Sequence, residues 1–424
     1  MNTAAPDRTP TMISVLRIGA ATLAAGLAAG IAGASMTLLL HLVQHTAFGY
    51  TDSTFLIGVE NASWERRLLG PALGGVLAGL GWWALRRRGG LPSIGALVSG
   101  KADRLPFWRA LADSALQILV VGSGASVGRE TAPRQVAAAF SGRFGRWLRV
   151  SDADWRLLLG SAAAGGLASV YNVPIAGLAF AAEVVGVVSG LRGMVIAGAV
   201  SLIGVLVARP IVGSNPTYVY PLITTAPTAW AWGLVCIPVC GYLGPLLSRG
   251  FKAAAARAEG ANWRLPAALA LSGALIGVIS WWLPAIPGNG KGVLQLAFGN
   301  LGSIELFTAL LLVKPLATML TLRAGAAGGL IMPVLSIGAA IGGLAALAGR
   351  SSGLDTPLPT FAIICAATLL AVTQKAPLFG AVFGWELCTP PPEMFFLFLA
   401  CTYGAVHLPS GVDHLRARIA RRSG

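Results

Sequence analysis

Hydrophobic residues stand along this chain in long stretches that short polar segments separate. A helix needs about 20 mostly apolar residues to cross the hydrocarbon core of a bilayer, and several stretches reach that length. The pattern therefore predicts membrane-spanning helices at residues 18–40, 68–85, 229–247, 266–286 and 306–322.

Other hydrophobic stretches are too short to cross a bilayer. Residues 359–372 and 377–388 are bounded by Pro, Gly or a charged residue, which is typical of half-helices and tilted partial spans. The chain also contains 55 Gly and 25 Pro. Helix breaks persist in lipid only where the freed backbone groups are buried in protein or line a cavity. We therefore expect an all-α polytopic membrane protein with broken, tilted helices and a polar interior.

Composition and charge agree with this class of protein. Hydrophobic residues make up 55% of the chain, charged residues 11%, and the mean hydropathy is +0.72, outside the range of soluble domains. The net charge of +15 does not indicate a nucleic acid partner, because the Arg residues stand in short groups beside the hydrophobic stretches, as the positive-inside rule predicts. We expect one membrane domain over residues 1–424 in the plasma (inner) membrane, without a cytoplasmic regulatory domain. Both termini should form short cytoplasmic tails, at 1–11 and 410–424.

The sequence contains an internal repeat. The motif P-x-x-G-x-x-F-x-x-E occurs at residues 174–183 and again at 377–386, which is 203 residues later. Upstream of each copy, a Gly-rich stretch ends at Pro133 or Pro333, and these prolines are 200 residues apart. Two motifs in the same order at nearly the same offset predict two repeats.

Interrupted helices at corresponding positions of two repeats indicate a transporter-type binding site near the middle of the membrane. We place the two repeats at about 66–212 and 264–408. Residues 128–135 and 328–335 should then approach each other to within about 15 Å, half the thickness of the hydrocarbon core. The proline of each segment should stand in the first turn of a helix.

Glu130 is the most unusual of the acids that stand in or beside hydrophobic stretches. It follows a Gly-rich turn and precedes Pro133, so it belongs at the start of a helix. A helix N-terminus carries free backbone N–H groups and about half a positive charge, which together bind anions. A carboxylate tethered there would compete with a permeant anion and would leave when protonated, so Glu130 is a candidate gate. The structural alternative is an ion pair with Arg129 or Arg134.

The other intramembrane acids are Asp113, Glu183, Glu305 and Glu386, and each needs a partner, a cavity or a proton. Glu183 and Glu386 end the repeated motifs, where a helix-end acid can anchor a span at the membrane interface. Lys314, inside a predicted span, either extends its ammonium toward an interface or lines a permeation path.

Two other classes of function fit the sequence less well. An intramembrane hydrolase needs a nucleophile with a base, a His/Asp metal set or paired acids, and these spans are poor in His and Asp, so we expect no enzyme. The other class is a cation or organic-solute carrier. Cation sites favour buried acids and carbonyls at helix C-termini, whereas these helix breaks direct helix starts inward. The five cysteines lack metal-type spacing, so we expect buried core residues and neither a metal nor a cofactor.

Four stretches resemble segments of the CLC chloride channels and proton/chloride exchangers. Residues 89–97 resemble the family's GSGIP segment, residues 128–133 its GREGP segment and residues 329–333 its GxFxP segment, in the same order. The fourth stretch is the pair of repeated helix starts. The resemblance extends from about residue 18 to the C-terminus.

The resemblance implies a homodimer in the lipid bilayer, with a separate pore in each subunit. It also implies that the two repeats have inverted topology and direct helix N-termini at a central anion site. It implies that Glu130 is the gating glutamate and that backbone groups of seven residues form the anion site: Gly89, Gly90, Leu91, Gly329, Leu330, Ile331 and Met332. The protein would then transport chloride. Proton-coupled exchange, and a preference for another small anion such as fluoride or nitrate, stay open.

The sequence departs from the family pattern at positions that bear on selectivity and proton coupling. Gly89 stands where the family has a serine, and Ile331 where it has a phenylalanine. Val184 stands where exchangers commonly carry the second of two adjacent acids, which leaves Glu183 as the nearby candidate for a proton path. The family's pore tyrosine has no counterpart at residues 412–414. We therefore predict that any proton coupling is weak or follows an unfamiliar inner route.

Overall fold

The protein is built from helices joined by short loops. The computed structural model describes residues 12–218, 225 and 227–422, with the side chains of the last helix described as far as residue 408. The helices are α1 Met12–Phe48, α2 Phe55–Asn61, α3 Trp64–Arg86, α4 Ile94–Val98, α5 Phe107–Gly122, α6 Thr131–Trp147, α7 Asp152–Tyr171, α8 Pro174–Ala179, α9 Gly190–Val212, α10 Pro227–Ala256, α11 Leu265–Ile279, α12 Lys291–Phe298, α13 Ile304–Arg323, α14 Ile331–Ser351, α15 Leu358–Gln374, α16 Pro377–Cys388 and α17 Met394–Arg422. A π-helical turn, Phe180–Val185, directly follows α8. The predicted all-α class is confirmed.

Six helices of the described chain are long and apolar enough to cross a membrane, namely α1, α3, α9, α10, α13 and α14. Four of the five predicted spans lie inside α1, α3, α10 and α13. The fifth prediction, 266–286, is wrong in its last third, because α11 ends at Ile279 and turns follow. Pro284 and Pro287 lack the backbone N–H that a continuing helix would need.

The short hydrophobic stretches form helices, and one of the two predicted tails lies within the described residues. Residues 359–372 and 377–388 form α15 and α16, of 17 and 12 residues, so both are short helices as predicted. The predicted tail at 1–11 lies outside the described residues. At the other end, α17 continues as a helix through most of the predicted tail, to Arg422.

The repeated motifs adopt the same local structure twice. Asn172 caps the end of α7 and Lys375 caps the end of α15, and both residues are left-handed, with φ of 56° and 55°. Two residues later, Pro174 or Pro377 begins a short helix. Proline suits this first position because its ring fixes φ and its missing N–H would have no partner inside the helix. The helices are therefore broken at corresponding positions, as the repeat predicts.

Glycines let the helices that follow the two Gly-rich turns pack closely on their neighbours. A Cβ on Gly166 of α7 would lie 2.6 Å from the carbonyl oxygen of Pro133 in α6. In the other half, a Cβ on Gly338 of α14 would lie 2.6 Å from Cα of Ala366 in α15. Any larger residue would push these helices apart and displace the turns. The proposed repeat boundaries, 66–212 and 264–408, stay a prediction.

Candidate functional site

The two Gly-rich turns meet inside the protein. The N–H of Gly128 donates to the carbonyl of Gly329 at 2.6 Å, and the N–H of Gly329 donates to the carbonyl of Gly128 at 2.8 Å. Pro133 and Pro333 are the third residues of α6 and α14, which begin just after these turns. The predicted approach of the two segments, and the placement of both prolines in first helical turns, are confirmed.

The Glu130 carboxylate occupies the place where the two turns meet. Its side chain is fully buried, and Oε1 accepts a hydrogen bond from the N–H of Ile331 at 2.7 Å. A Cβ on Gly128 or on Gly329 would overlap with the carboxylate, so the two glycines form a slot that fits it. The carboxylate thus lies at the N-terminus of α14, where free N–H groups and the helix dipole favour negative charge. Glu130 is the N-cap residue of α6, but its carboxylate is bound by α14, in the other half of the chain.

Neither neighbouring arginine forms an ion pair with Glu130. The guanidinium of Arg129 donates to the carbonyl of Val170 at 3.1 Å and lies 5.3 Å from the ring centroid of Tyr171. The guanidinium of Arg134 lies 4.6 Å from the ring centroid of Phe180. The ion pair at bonding distance among the described residues joins Arg192 and Asp154 and does not include Glu130. The alternative prediction, in which Glu130 forms an ion pair with Arg129 or Arg134, is therefore wrong.

Tyr171 is a polar neighbour of Glu130 that sequence reasoning missed. Its hydroxyl lies 3.5 Å from Oε2 of Glu130, a long hydrogen bond, and its ring packs edge-on against Phe383 at 5.6 Å between centroids. A buried tyrosine at the end of α7, directly before a repeated motif, was the available signal. The region 412–414, where the sequence lacks a pore tyrosine, lies outside the described side chains. Tyr171 supplies a hydroxyl from a different helix.

A cavity of about 570 Å³ borders the second Gly-rich turn and the first turns of α6. It is lined by Gly89, Gly90 and Leu91 from the loop after α3, by Arg134 of α6, and by Gly328. The other four predicted anion-site residues, 329–332, do not line this cavity, and the N–H of Ile331 donates to Glu130 instead. The residues predicted as one anion site are therefore distributed over two adjacent places, the slot and the cavity.

Asp113 lies in the cavity wall and is satisfied by neutral donors. Its Oδ1 accepts from Trp82 Nε1 at 2.9 Å, and its Oδ2 accepts from Gln117 Nε2 at 2.8 Å and from Gln135 Nε2 at 3.0 Å. Three donors of this kind stabilise a carboxylate that is only 9% exposed. Asp113 thus connects α3, α5 and α6 around the cavity.

The glutamates that end the repeated motifs bind the starts of each other's short helices. Glu183 accepts from the N–H groups of Leu378 and Phe379, at 3.2 and 2.8 Å, in the first turn of α16. Glu386 accepts from the N–H groups of Ile175 and Ala176, at 3.0 and 2.6 Å, in the first turn of α8. In both cases these are the second and third residues of the helix. The two acids therefore cap the starts of helices. The sequence-based alternative, that Glu386 only anchors a span at the membrane interface, does not account for these contacts.

Lys314 binds backbone carbonyls inside the protein, which neither sequence-based prediction anticipated. Its side chain is 1% exposed, and its ammonium donates to the carbonyls of Ile286 and Gly288 at 2.7 and 2.9 Å. The N–H of Gly288 in turn donates to the carbonyl of Gly124, in the turn that leads to Glu130. Lys314 therefore holds a loop that supports this turn, instead of reaching an interface or lining a permeation path.

The cysteines are buried, as predicted. Cys236 and Cys240 of α10 and Cys365 of α15 bring their Sγ atoms within 4.8 Å of one another, a grouping that the linear spacing did not reveal. The thiols pack where α10 crosses α15, and the Sγ atoms of Cys240 and Cys365 are 3.5 Å apart.

The chain is similar in sequence to known membrane proteins. The profile of the family described as voltage gated chloride channel matches residues 70–408. The chain is 33% identical over 426 residues to a ClcB-like chloride channel protein of Ralstonia nicotianae, a match that covers 93% of this chain and 95% of that protein. It is 30% identical over 395 residues to the voltage-gated ClC-type chloride channel ClcB of Escherichia coli, which covers 90% of this chain and 93% of that protein.

The fold is similar to solved structures. The crystal structure of a slow cyanobacterial Cl⁻/H⁺ antiporter matches with a TM-score of 0.80 at 20% identity, over 93% of this chain and 95% of that chain. A CLC-type fluoride/proton antiporter matches with a TM-score of 0.73 at 18% identity, over 94% of this chain and 96% of that chain. The helical fold, the profile match over most of the sequence and the relatives at 30% identity or more lead to one conclusion: this multi-pass membrane protein belongs to the voltage-gated chloride channel family, the CLC family.

Proposed function

We propose that the protein moves small anions, chloride foremost, across the inner membrane through a pore in each subunit of a homodimer, with Glu130 as the gate. The observation that carries this proposal is the contact between the Glu130 carboxylate and the N–H of Ile331, at 2.7 Å. A helix start that binds a carboxylate binds chloride by the same N–H groups and the same dipole. The carboxylate and the anion therefore compete for one place. Both termini lie on the cytoplasmic side, where the Arg-rich flanks belong.

The two curated relatives support chloride as the first anion to test, since both are described as chloride channel proteins. A second candidate function is proton-coupled anion exchange, because a gate that leaves on protonation carries a proton with each opening. Both solved structures of similar fold are described as proton antiporters. Against tight coupling, Glu183 is bound to two N–H groups of α16, and its neighbour Val184 cannot carry a proton.

Anion efflux from proteoliposomes, recorded together with external pH, tests both candidates. Purified protein should release chloride faster than protein-free liposomes, and parallel runs with nitrate and fluoride rank the anions. A fixed proton-to-chloride ratio would favour exchange over a channel. If liposomes with correctly folded protein released none of the three anions above background, the proposed function would be wrong.

The glycine slot leads to a prediction about Gly329. Its Cβ in Gly329→Ala would overlap with the carboxylate position, which is also the proposed anion position, and two hydrogen bonds to Gly128 hold the backbone in place. Overpacking of this kind costs about 1–3 kcal/mol, so flux should fall about tenfold. The double variant with Glu130→Gln should stay slow, because the methyl group remains in the site.

Gly198→Ala is the matched control for this prediction, since a Cβ there would meet only Leu178, at 3.8 Å. Its flux should equal that of the wild type. A Gly329→Ala protein that conducted faster than wild type would mean that the anion does not use the slot that the carboxylate fills.

A further inference from the structure

A second cavity, of about 350 Å³, lies where the start of α5, the end of α6 and the first half of α7 meet. It is lined by Arg104, Arg143 and Arg146, and we call it the arginine cavity. Most of its other lining residues are apolar, and they include Leu105 and Leu159. Among the described residues that line it, none belongs to the slot or to the predicted anion site. The arginine cavity is therefore a separate site that is both basic and apolar.

Aromatic rings position two of the guanidinium groups at this cavity. The Cζ atom of Arg143 lies 5.4 Å from the centroid of the Phe107 ring, and that of Arg146 lies 4.9 Å from the centroid of the Trp155 ring. Arg146 also donates to the backbone carbonyl of Asp103. Among the described residues, no Asp or Glu lines the arginine cavity, and none forms an ion pair with its arginines. Its positive charge is therefore not balanced by a carboxylate.

Exposed tryptophans beside the arginine cavity mark a membrane interface. Trp108 stands in the first turn of α5 and Trp147 is the last residue of α6, and each is 76% exposed. Tryptophan is enriched where the hydrocarbon core meets water, and arginine-rich flanks belong to the cytoplasmic side. The lipids of that leaflet include anionic ones, which basic pockets between membrane helices bind. Position and charge together favour an anionic lipid headgroup as the ligand.

We propose that the arginine cavity binds one anionic phospholipid of the cytoplasmic leaflet. The guanidinium groups of Arg143 and Arg146 present parallel N–H donors that suit the oxygens of its phosphate. The apolar residues, among them Leu105 and Leu159, suit the adjoining part of an acyl chain, which a free phosphate ion lacks. The inference goes beyond the proposed function, because the lipid stays bound instead of crossing the membrane and Glu130 takes no part in the site.

Native mass spectrometry of the purified full chain in detergent, titrated with phosphatidylglycerol or with zwitterionic phosphatidylcholine, tests this site. The wild type should bind phosphatidylglycerol at least about fivefold more tightly, because one arginine beside an anionic headgroup contributes about that factor. The double variant Arg143→Gln/Arg146→Gln should weaken the binding of phosphatidylglycerol about tenfold or more, and the binding of phosphatidylcholine by less than about twofold. Arg143→Lys/Arg146→Lys keeps the charge and should still prefer phosphatidylglycerol.

The matched control is the double variant Arg87→Gln/Arg88→Gln. It removes the same charge from exposed positions at the end of α3, and one of its arginines also lies over a tryptophan ring, that of Trp83 at 4.6 Å. Neither arginine lines the arginine cavity. The control should therefore bind phosphatidylglycerol like the wild type.

Competition on the wild-type protein distinguishes a lipid from a free anion without any variant. Dihexanoyl phosphatidylglycerol should displace the long-chain lipid at concentrations at which inorganic phosphate does not. Equal binding of the two lipids by the wild type, equal losses in the two glutamine double variants, or displacement by inorganic phosphate as effective as that by the short-chain lipid would overturn the proposal. Failure of the transport function is distinct from these outcomes: it would appear as absent anion flux, while the preference for phosphatidylglycerol stayed unchanged.

Discussion

Glu130→Gln protein should move chloride about tenfold faster than wild type at neutral pH, and its flux should no longer change with pH. The carboxylate of Glu130 accepts from the N–H of Ile331 in a slot without an ion-paired partner. A hydrogen bond to a charged group contributes about 1.5–3 kcal/mol and one to a neutral group about 0.5–1.5 kcal/mol, so the amide competes less well with chloride. Wild-type flux should rise as the pH falls, because protonation removes the charge that holds the carboxyl in the slot.

The measurement is chloride efflux from proteoliposomes over a series of pH values, with external pH recorded. Glu305→Gln serves as the control, since Glu305 also stands in the first turn of a helix, α13, but is exposed. It should behave like wild type. Glu130→Gln protein that is folded and keeps the wild-type pH dependence would exclude Glu130 as the gate, and loss of folding together with flux would point to a purely structural glutamate.

The hydrophobic pattern was sufficient to predict the helical class and the long helices α1, α3, α10 and α13, because a membrane imposes length and composition on each spanning helix. The predicted spans did not include α9 and α14, which are also long and apolar enough to cross a membrane. The pattern placed the ends of the short helix Pro377–Cys388 correctly, where proline and a left-handed residue mark the boundaries. It failed after Ile279, where two tryptophans continue the apolar composition although the backbone has already turned. Hydrophobicity indicates the environment of a residue but not its backbone conformation. Here two nearby prolines, Pro284 and Pro287, prevent the helix from continuing.

The candidate site was predictable in part. Glu130 could be found because an acid between a Gly-rich turn and a helix-start proline has few structural uses in a membrane. Its partner could not, since Ile331 lies 201 residues away and belongs to a different helix. Tyr171 was missed as a site residue for a similar reason. Its role depends on which side of α7 faces the slot, and a helix that is buried on nearly every side carries no sequence signal for that direction.

Glu183→Gln and Glu386→Gln should each lower the thermal stability of the protein, by similar amounts, without removing the pH dependence of anion flux. Each carboxylate accepts two backbone N–H groups at the start of a helix that the other repeat contributes. Inside a membrane protein no water is available to accept hydrogen bonds from those N–H groups. The negative charge also interacts favourably with the positive end of the helix dipole. Replacing charged hydrogen bonds with weaker neutral ones should cost about 1–3 kcal/mol per site.

Thermal unfolding of the purified variants in detergent, followed by circular dichroism, measures this effect. Glu393→Gln is the control, because Glu393 is exposed in the loop before α17 and lies seven residues beyond Glu386. The equal effect follows from the symmetry of the contacts: each acid binds the second and third residues of the opposite helix, so neither half can lose its cap without loosening the other. One different result would support a role for Glu183 in proton movement. If Glu183→Gln left stability unchanged but abolished proton movement coupled to chloride, its carboxyl would be a proton carrier, and the cap would be the resting position of that carrier.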